Sequence, residues 1–188
     1  MSAARRSILL ATPSRLACAA VAAAVAADAV LAWRFGATPA LPAYLAFGAA
    51  AGVVSVTDLV ARRVPNRVTA PLYGAGLGLL LVASAGTGNW WPLARAGIAM
   101  AALGGFYLLL GLAFEAGMGM GDAKWAGAVG LFSGWVAWQA VVTATLLAFT
   151  AVSLYVLGRH PAGHGRRRTV PMVPFMAAGA ICAILLTR

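Results

Sequence analysis

Four carboxylates are all that the 188 residues contain: Asp28, Asp58, Glu115 and Asp122. Charged residues of either sign make up only 10% of the chain, against 62% hydrophobic. A soluble domain is usually about 45–50% apolar, so a mean hydropathy of +0.88 excludes one of ordinary composition. The two cysteines, Cys18 and Cys182, form no CxxC pair. That removes the signature of a zinc or dithiol centre and leaves them as small buried hydrophobes. His160 and His164 sit in a Gly/Pro/Arg loop with no third ligand in view, so no metal site is expected.

What the chain does have is apolar length. Stretches of about 18 residues or more recur throughout, each long enough to cross a hydrocarbon core of about 30 Å. Hydropathy and helix breakers predict helices near 16–33, 41–60, 68–85, 93–114, 123–137, 139–157 and 170–187, with Gly134 marking the joint after the fifth. The expected fold is all-α, a polytopic transmembrane bundle of six or seven helices. The fifth is short for a crossing, so it is tilted or packed inside the bundle. Residues 1–15 are expected to form a cytoplasmic N-terminal segment and 16–188 a single transmembrane domain. The apolar run Leu16–Trp33 exceeds a signal-peptide core of about 7–15 residues, which predicts a retained anchor.

The net charge of +10 does not point to nucleic acid, because stacking aromatics and a basic groove are missing. The cations cluster between apolar segments instead: Arg5/Arg6/Arg15, Arg62/Arg63/Arg67 and Arg166/Arg167/Arg168. With the N-terminus inside, seven crossings leave only Arg34, Arg95 and Arg188 on the far side, as the positive-inside rule prefers. Anionic lipid headgroups are the expected neighbours of the clusters. Trp90-Trp91 falls in an outer loop, where an interfacial aromatic belt belongs.

On this topology Asp58 and Asp122 reach the same depth on the cytoplasmic side. Ionisable groups at membrane depth usually face the bundle interior and mark function. Two carboxylates brought together share one proton, which is what an aspartyl protease needs: one draws a proton from water while its protonated partner polarises a carbonyl. Gly117, Gly119 and Gly121 precede Asp122, and backbone without side chains can bend and let an extended peptide approach. Lys124, Arg62 and Arg63 lie within about a turn of the acids, placed to set their charge state or to anchor helix ends.

Three segments carry a family resemblance. Asp58 with Arg62-Arg63-Val64-Pro65-Asn66 is similar to an Asp followed by basic residues and Ile-Pro-Asn. Gly119-Met120-Gly121-Asp122-Ala123-Lys124 is similar to GxGDxK, and Val170-Pro171-Met172-Val173-Pro174-Phe175 to Ile-Pro-Phe-Gly-Pro-Phe. Together, in this order, they resemble the type IV prepilin leader peptidases, GxGD aspartyl proteases of the bacterial inner membrane, over about residues 41–187. The resemblance implies catalysis by Asp58 and Asp122, with Gly119, Gly121, Lys124, Pro65 and Asn66 as supporting motif and no metal or cofactor. It implies prepilins or pseudopilins as substrates, cut at the cytoplasmic face. The CxxC pairs of the larger, N-methylating members are missing, so the chain looks like the short peptidase-only branch linked to Flp-type pili.

Structural readings stand beside these. Asp122 suits a helix cap, Asp58 an interfacial acid neutralised by Arg62, Asp28 a polar contact between helices, and Glu115 an interfacial residue. The alternatives in function are a proton-relaying carrier or channel, or a related GxGD protease acting on preflagellins. Carriers usually show inverted repeats meeting at the midplane, whereas here the paired acids fall at one face.

Overall fold

The computed structural model describes residues 13–113, 119–158 and 170–187. Glu115, Gly117, His160, His164 and the Arg5/Arg6 and Arg166–Arg168 clusters lie outside the described residues. Seven helices make up the described fold: α1 Pro13–Phe35, α2 Leu41–Ala61, α3 Asn66–Thr87, α4 Trp91–Ala113, α5 Met120–Val136, α6 Trp138–Gly158 and α7 Val173–Leu186. Five of them (α1, α2, α3, α4 and α6) are long and apolar enough to cross a membrane. The chain is a multi-pass helical membrane protein.

Helix α5 is the axis. Every residue from Trp125 to Gly134 is buried, which resolves its short length: it is enclosed by protein. Helix α4 lies closest to it, and small residues make the approach possible. At Gly134 a side chain would meet Ala96 and Ala99 of α4, and at Gly130 the main chain of Ala99. Gly134 is not the joint that the sequence predicts: helix continues through it to Val136, and the break comes at Ala137, in extended backbone. Its smallness serves packing.

Helix α2 reaches α5 through rings. Phe47 stacks on Phe132 with centroids 4.6 Å apart and on Trp125 at 5.7 Å. The Tyr44 hydroxyl donates to the Phe132 carbonyl at 2.8 Å. Helix α1 packs on the outside of α2, where Gly52 faces the Ala24 backbone and Gly48 faces the Asp28 carboxyl. Asp28 therefore does make an interhelical contact, although its buried Oδ1 has no hydrogen-bond partner. Asp28 lies opposite a point ten residues before Asp58, about 15 Å along the helix axis.

Both cysteines are exposed, Cys18 on α1 and Cys182 on α7, against the expectation of burial. In a bilayer the outside of a bundle is as apolar as its inside, so apolar surroundings in sequence do not distinguish the two.

Arg34 and Arg95, two of the three cations expected on the far side, cap helix C-termini at one end of the bundle. Arg34 donates from Nη2 to the Thr187 carbonyl at 2.7 Å. Arg95 donates from Nε to the Gly134 carbonyl at 2.5 Å, and from Nη2 to those of Trp135 and, at 2.7 Å, Val136. Only Ala137 separates α5 from α6, so the last carbonyls of α5 have no room for a turn of their own. Arg95→Met is expected to lower stability by about 2 kcal/mol by orphaning them, read as a fall in the thermal midpoint in detergent. An unchanged midpoint would count against this capping role.

Candidate active site

The opposite end of the bundle collects the three motif segments. Helix α2 stops one turn after Asp58, because Arg62 turns into the left-handed region (φ +51°) while its N–H donates to the Asp58 carbonyl at 2.9 Å. A non-glycine residue there costs about 1–2 kcal/mol. Val64 and Pro65 then run to Asn66, the first residue of α3, and the reversal lays this loop against the start of α5.

Two contacts join the loop to α5. Val64 packs on Gly121, where an added Cβ would lie 2.9 Å from Val64 Cγ2 and 3.0 Å from its Cβ. Lys124 Nζ donates to Asn66 Oδ1 at 3.0 Å. The local geometry accounts for three motif residues differently from the sequence expectation. Gly121 lies in regular helix, so its smallness admits Val64 and no bend is made there. Gly119 is in extended backbone at φ −76°, a conformation open to any residue. Lys124 gives its ammonium to an amide; Asn66 is its partner.

Asp58 is 6% exposed. Its Oδ2 accepts the main-chain N–H of Val173 at 3.2 Å. Val173 opens α7, so this N–H is one that the helix itself leaves unpaired, and the helix N-terminus favours negative charge beside it. Arg62 lies within electrostatic reach of the same carboxyl. The third segment thus enters the site through a main-chain donor.

Asp122 is half-buried in the first turn of α5. Its N–H donates to the Gly119 carbonyl at 2.9 Å and its Oδ2 accepts the Gly119 N–H at 3.2 Å. This is a reciprocal cap, so the capping role weighed for Asp122 is real. It occupies one carboxylate oxygen, Oδ2. Asp58 and Asp122 lie within electrostatic reach of each other, although 64 positions separate them in sequence.

Two tyrosines join the site that sequence reasoning did not single out. Tyr107 of α4 is buried and within electrostatic reach of Asp122. Tyr73 of α3 donates its hydroxyl to the Lys124 carbonyl at 2.6 Å. Neither stands in a motif; Tyr73 lies seven residues after Asn66, two turns along one face of α3, and that spacing was the only signal. Asp28 stays outside the cluster. Among the described residues no group of three His, Cys, Asp or Glu is placed to hold a metal ion.

Chemically, the cluster offers two carboxylates at one end of an apolar bundle, each held by a main-chain N–H, with a lysine and an arginine nearby. It is equipped to take and give protons. Among comparisons with known proteins, the model of the type IV leader peptidase family matches residues 45–157, well over half of the chain. The match begins in α2 and ends in α6, taking in both acids and leaving out α1 and the Val170–Phe175 segment. Neither the curated proteins nor the solved structures give a significant match.

Proposed function

The chain belongs to the type IV leader peptidase family, a family of peptidases, and from that premise we propose that Asp58 and Asp122 are its catalytic pair. The substrate is a type IV or Flp-type prepilin or pseudopilin, cut between its short basic leader and its hydrophobic helix. The cut is made at the cytoplasmic face of a bacterial inner membrane, with the N-terminus of the enzyme inside. The single observation that carries this reading is that the two acids, from separate helices, lie within electrostatic reach of each other at one end of the bundle.

The chemistry follows from a pair that shares one proton. The ionised carboxylate takes a proton from water as the water oxygen bonds to the scissile carbonyl carbon. The protonated partner gives its proton to the carbonyl oxygen. Collapse of the tetrahedral intermediate breaks the C–N bond, and a carboxyl returns a proton to the departing amine, which becomes the new pilin N-terminus. The clustered arginines would repel a basic leader, so anionic lipid is the better partner for both.

Purified enzyme in lipid, mixed with a prepilin, should release the leader at the junction of its basic and apolar parts, read by mass spectrometry. EDTA should leave the rate unchanged. Raising the pH should lower it, because the shared proton is required and is lost on the alkaline side. A rate abolished by EDTA, or one still climbing through high pH, would remove the proton-sharing pair. Proton flux into liposomes without any cleavage would favour the carrier reading.

A further inference from the structure

The first turn of α5 has little with which to hold itself in place. Residues 119 and 121 are glycines, Met120 is 66% exposed, and Asp122 spends one oxygen on its own cap. Its position is therefore set from outside: Val64 and α4 pack against it, and both hydrogen bonds between Lys124 and a neighbouring side chain come from α3. Asn66, at the start of α3, holds the Lys124 side chain. Tyr73, two turns along the same face, holds the Lys124 carbonyl. One residue, two places after Asp122, is gripped at both ends by one neighbouring helix.

The second grip is built into the packing. The phenol of Tyr73 lies over Gly127, where a Cβ would collide with the hydroxyl oxygen itself. A glycine at 127, one turn beyond Lys124, clears the path by which the hydroxyl reaches the carbonyl. The 2.6 Å separation is at the short end for a hydroxyl donor. A carbonyl inside a helix already accepts from the N–H four residues on, so the helix does not need this second bond. What the bond adds is a fixed distance between α3 and the turn that carries Asp122.

We propose that Tyr73 is a positioning residue: through the Lys124 carbonyl it fixes the first turn of α5, and with it the Asp122 carboxyl, relative to Asp58. This rests on the reading of Asp58 and Asp122 as the catalytic pair. The ring fills the seam between α3 and α5, and the hydroxyl alone sets the register. Removing the hydroxyl while keeping the ring separates the two contributions.

Tyr73→Phe is the test, with two readouts. The first is prepilin cleavage: kcat should fall about tenfold, the worth of one well-formed hydrogen bond, with KM unchanged because no substrate contact is lost. The second needs no substrate. Spin labels at the exposed positions Leu59 and Met120, in a Cys18→Ala/Cys182→Ala background, report the separation of the two acid-bearing turns. That distance should be narrow with Tyr73 and broadened in Tyr73→Phe. An unchanged distance distribution, or a loss of thermal stability with kcat intact, would overturn the proposal. Should the wild-type chain cut no prepilin while the distance still broadens, the positioning role stands and the catalytic reading falls.

Discussion

Asp58→Asn and Asp122→Asn should each leave a co-expressed prepilin at precursor size, a loss of about 10²–10⁴-fold in rate, as expected when a general acid or base is removed. Asp28→Asn should process it normally. The size of the effect can be read cleanly because an amide keeps what the structure asks of each site apart from chemistry. In Asp122→Asn the amide oxygen can still accept the Gly119 N–H, and asparagine caps helices about as well as aspartate. In Asp58→Asn the amide oxygen can still accept the Val173 N–H. Neither variant can ionise at the substituted position, so the pair no longer has a proton to share. Gel mobility of the precursor decides the matter, with the membrane-inserted amount of each variant measured alongside. Efficient processing by either would end the two-aspartate mechanism.

The second large effect is expected at Val173, a residue with no side-chain chemistry. Its N–H is what Asp58 accepts, and proline is the one residue that deletes it. Position 173 is the first of α7, where proline is favoured because its missing N–H is one the helix does not use. Val173→Pro should therefore lower kcat roughly 10- to 100-fold, matching a hydrogen bond to a charged group of about 1.5–3 kcal/mol. Val173→Ala keeps the N–H and vacates a fully buried site. It should cost stability while largely preserving kcat. Met172 has helical backbone angles (φ −87°, ψ −31°), which proline at 173 disfavours, so the midpoint of both variants must be compared. Equal rates in the two would dismiss the N–H as a contributor.

The placement of Asp58 and Asp122 at one end of the bundle was legible, because acids are scarce in this chain and helix alternation alone brings these two to the same depth. The bundle was legible from hydropathy, and the enclosure of α5 was one of the two readings, tilted or packed inside, that its length allowed. What could not be read was any function carried by main-chain atoms. The Val173 N–H and the Lys124 carbonyl are groups that almost every residue possesses, so no letter of the sequence marks them. Gly121 read as a place for the backbone to bend and Gly134 as a joint, yet each is small to admit a neighbour, Val64 and the Ala96/Ala99 pair, that only the fold brings near. Arg34 and Arg95 were two of the three cations expected on the far side. Their partners are carbonyls 153 and about 40 residues away.

The seam between α1 and α2 bears on how the protein enters the membrane. Inserted alone, α1 would carry an aspartate near the middle of the bilayer, at a cost of about 2.5–3.5 kcal/mol on insertion scales. The rest of the helix is apolar enough to offset this, but the carboxyl gains cover only when Gly48 arrives, twenty residues later in synthesis. The short link at residues 36–40 brings it there at once. The first two helices are thus suited to leave the translocon as a hairpin, delivering the helix that bears Asp58 already sheathed on its outer side.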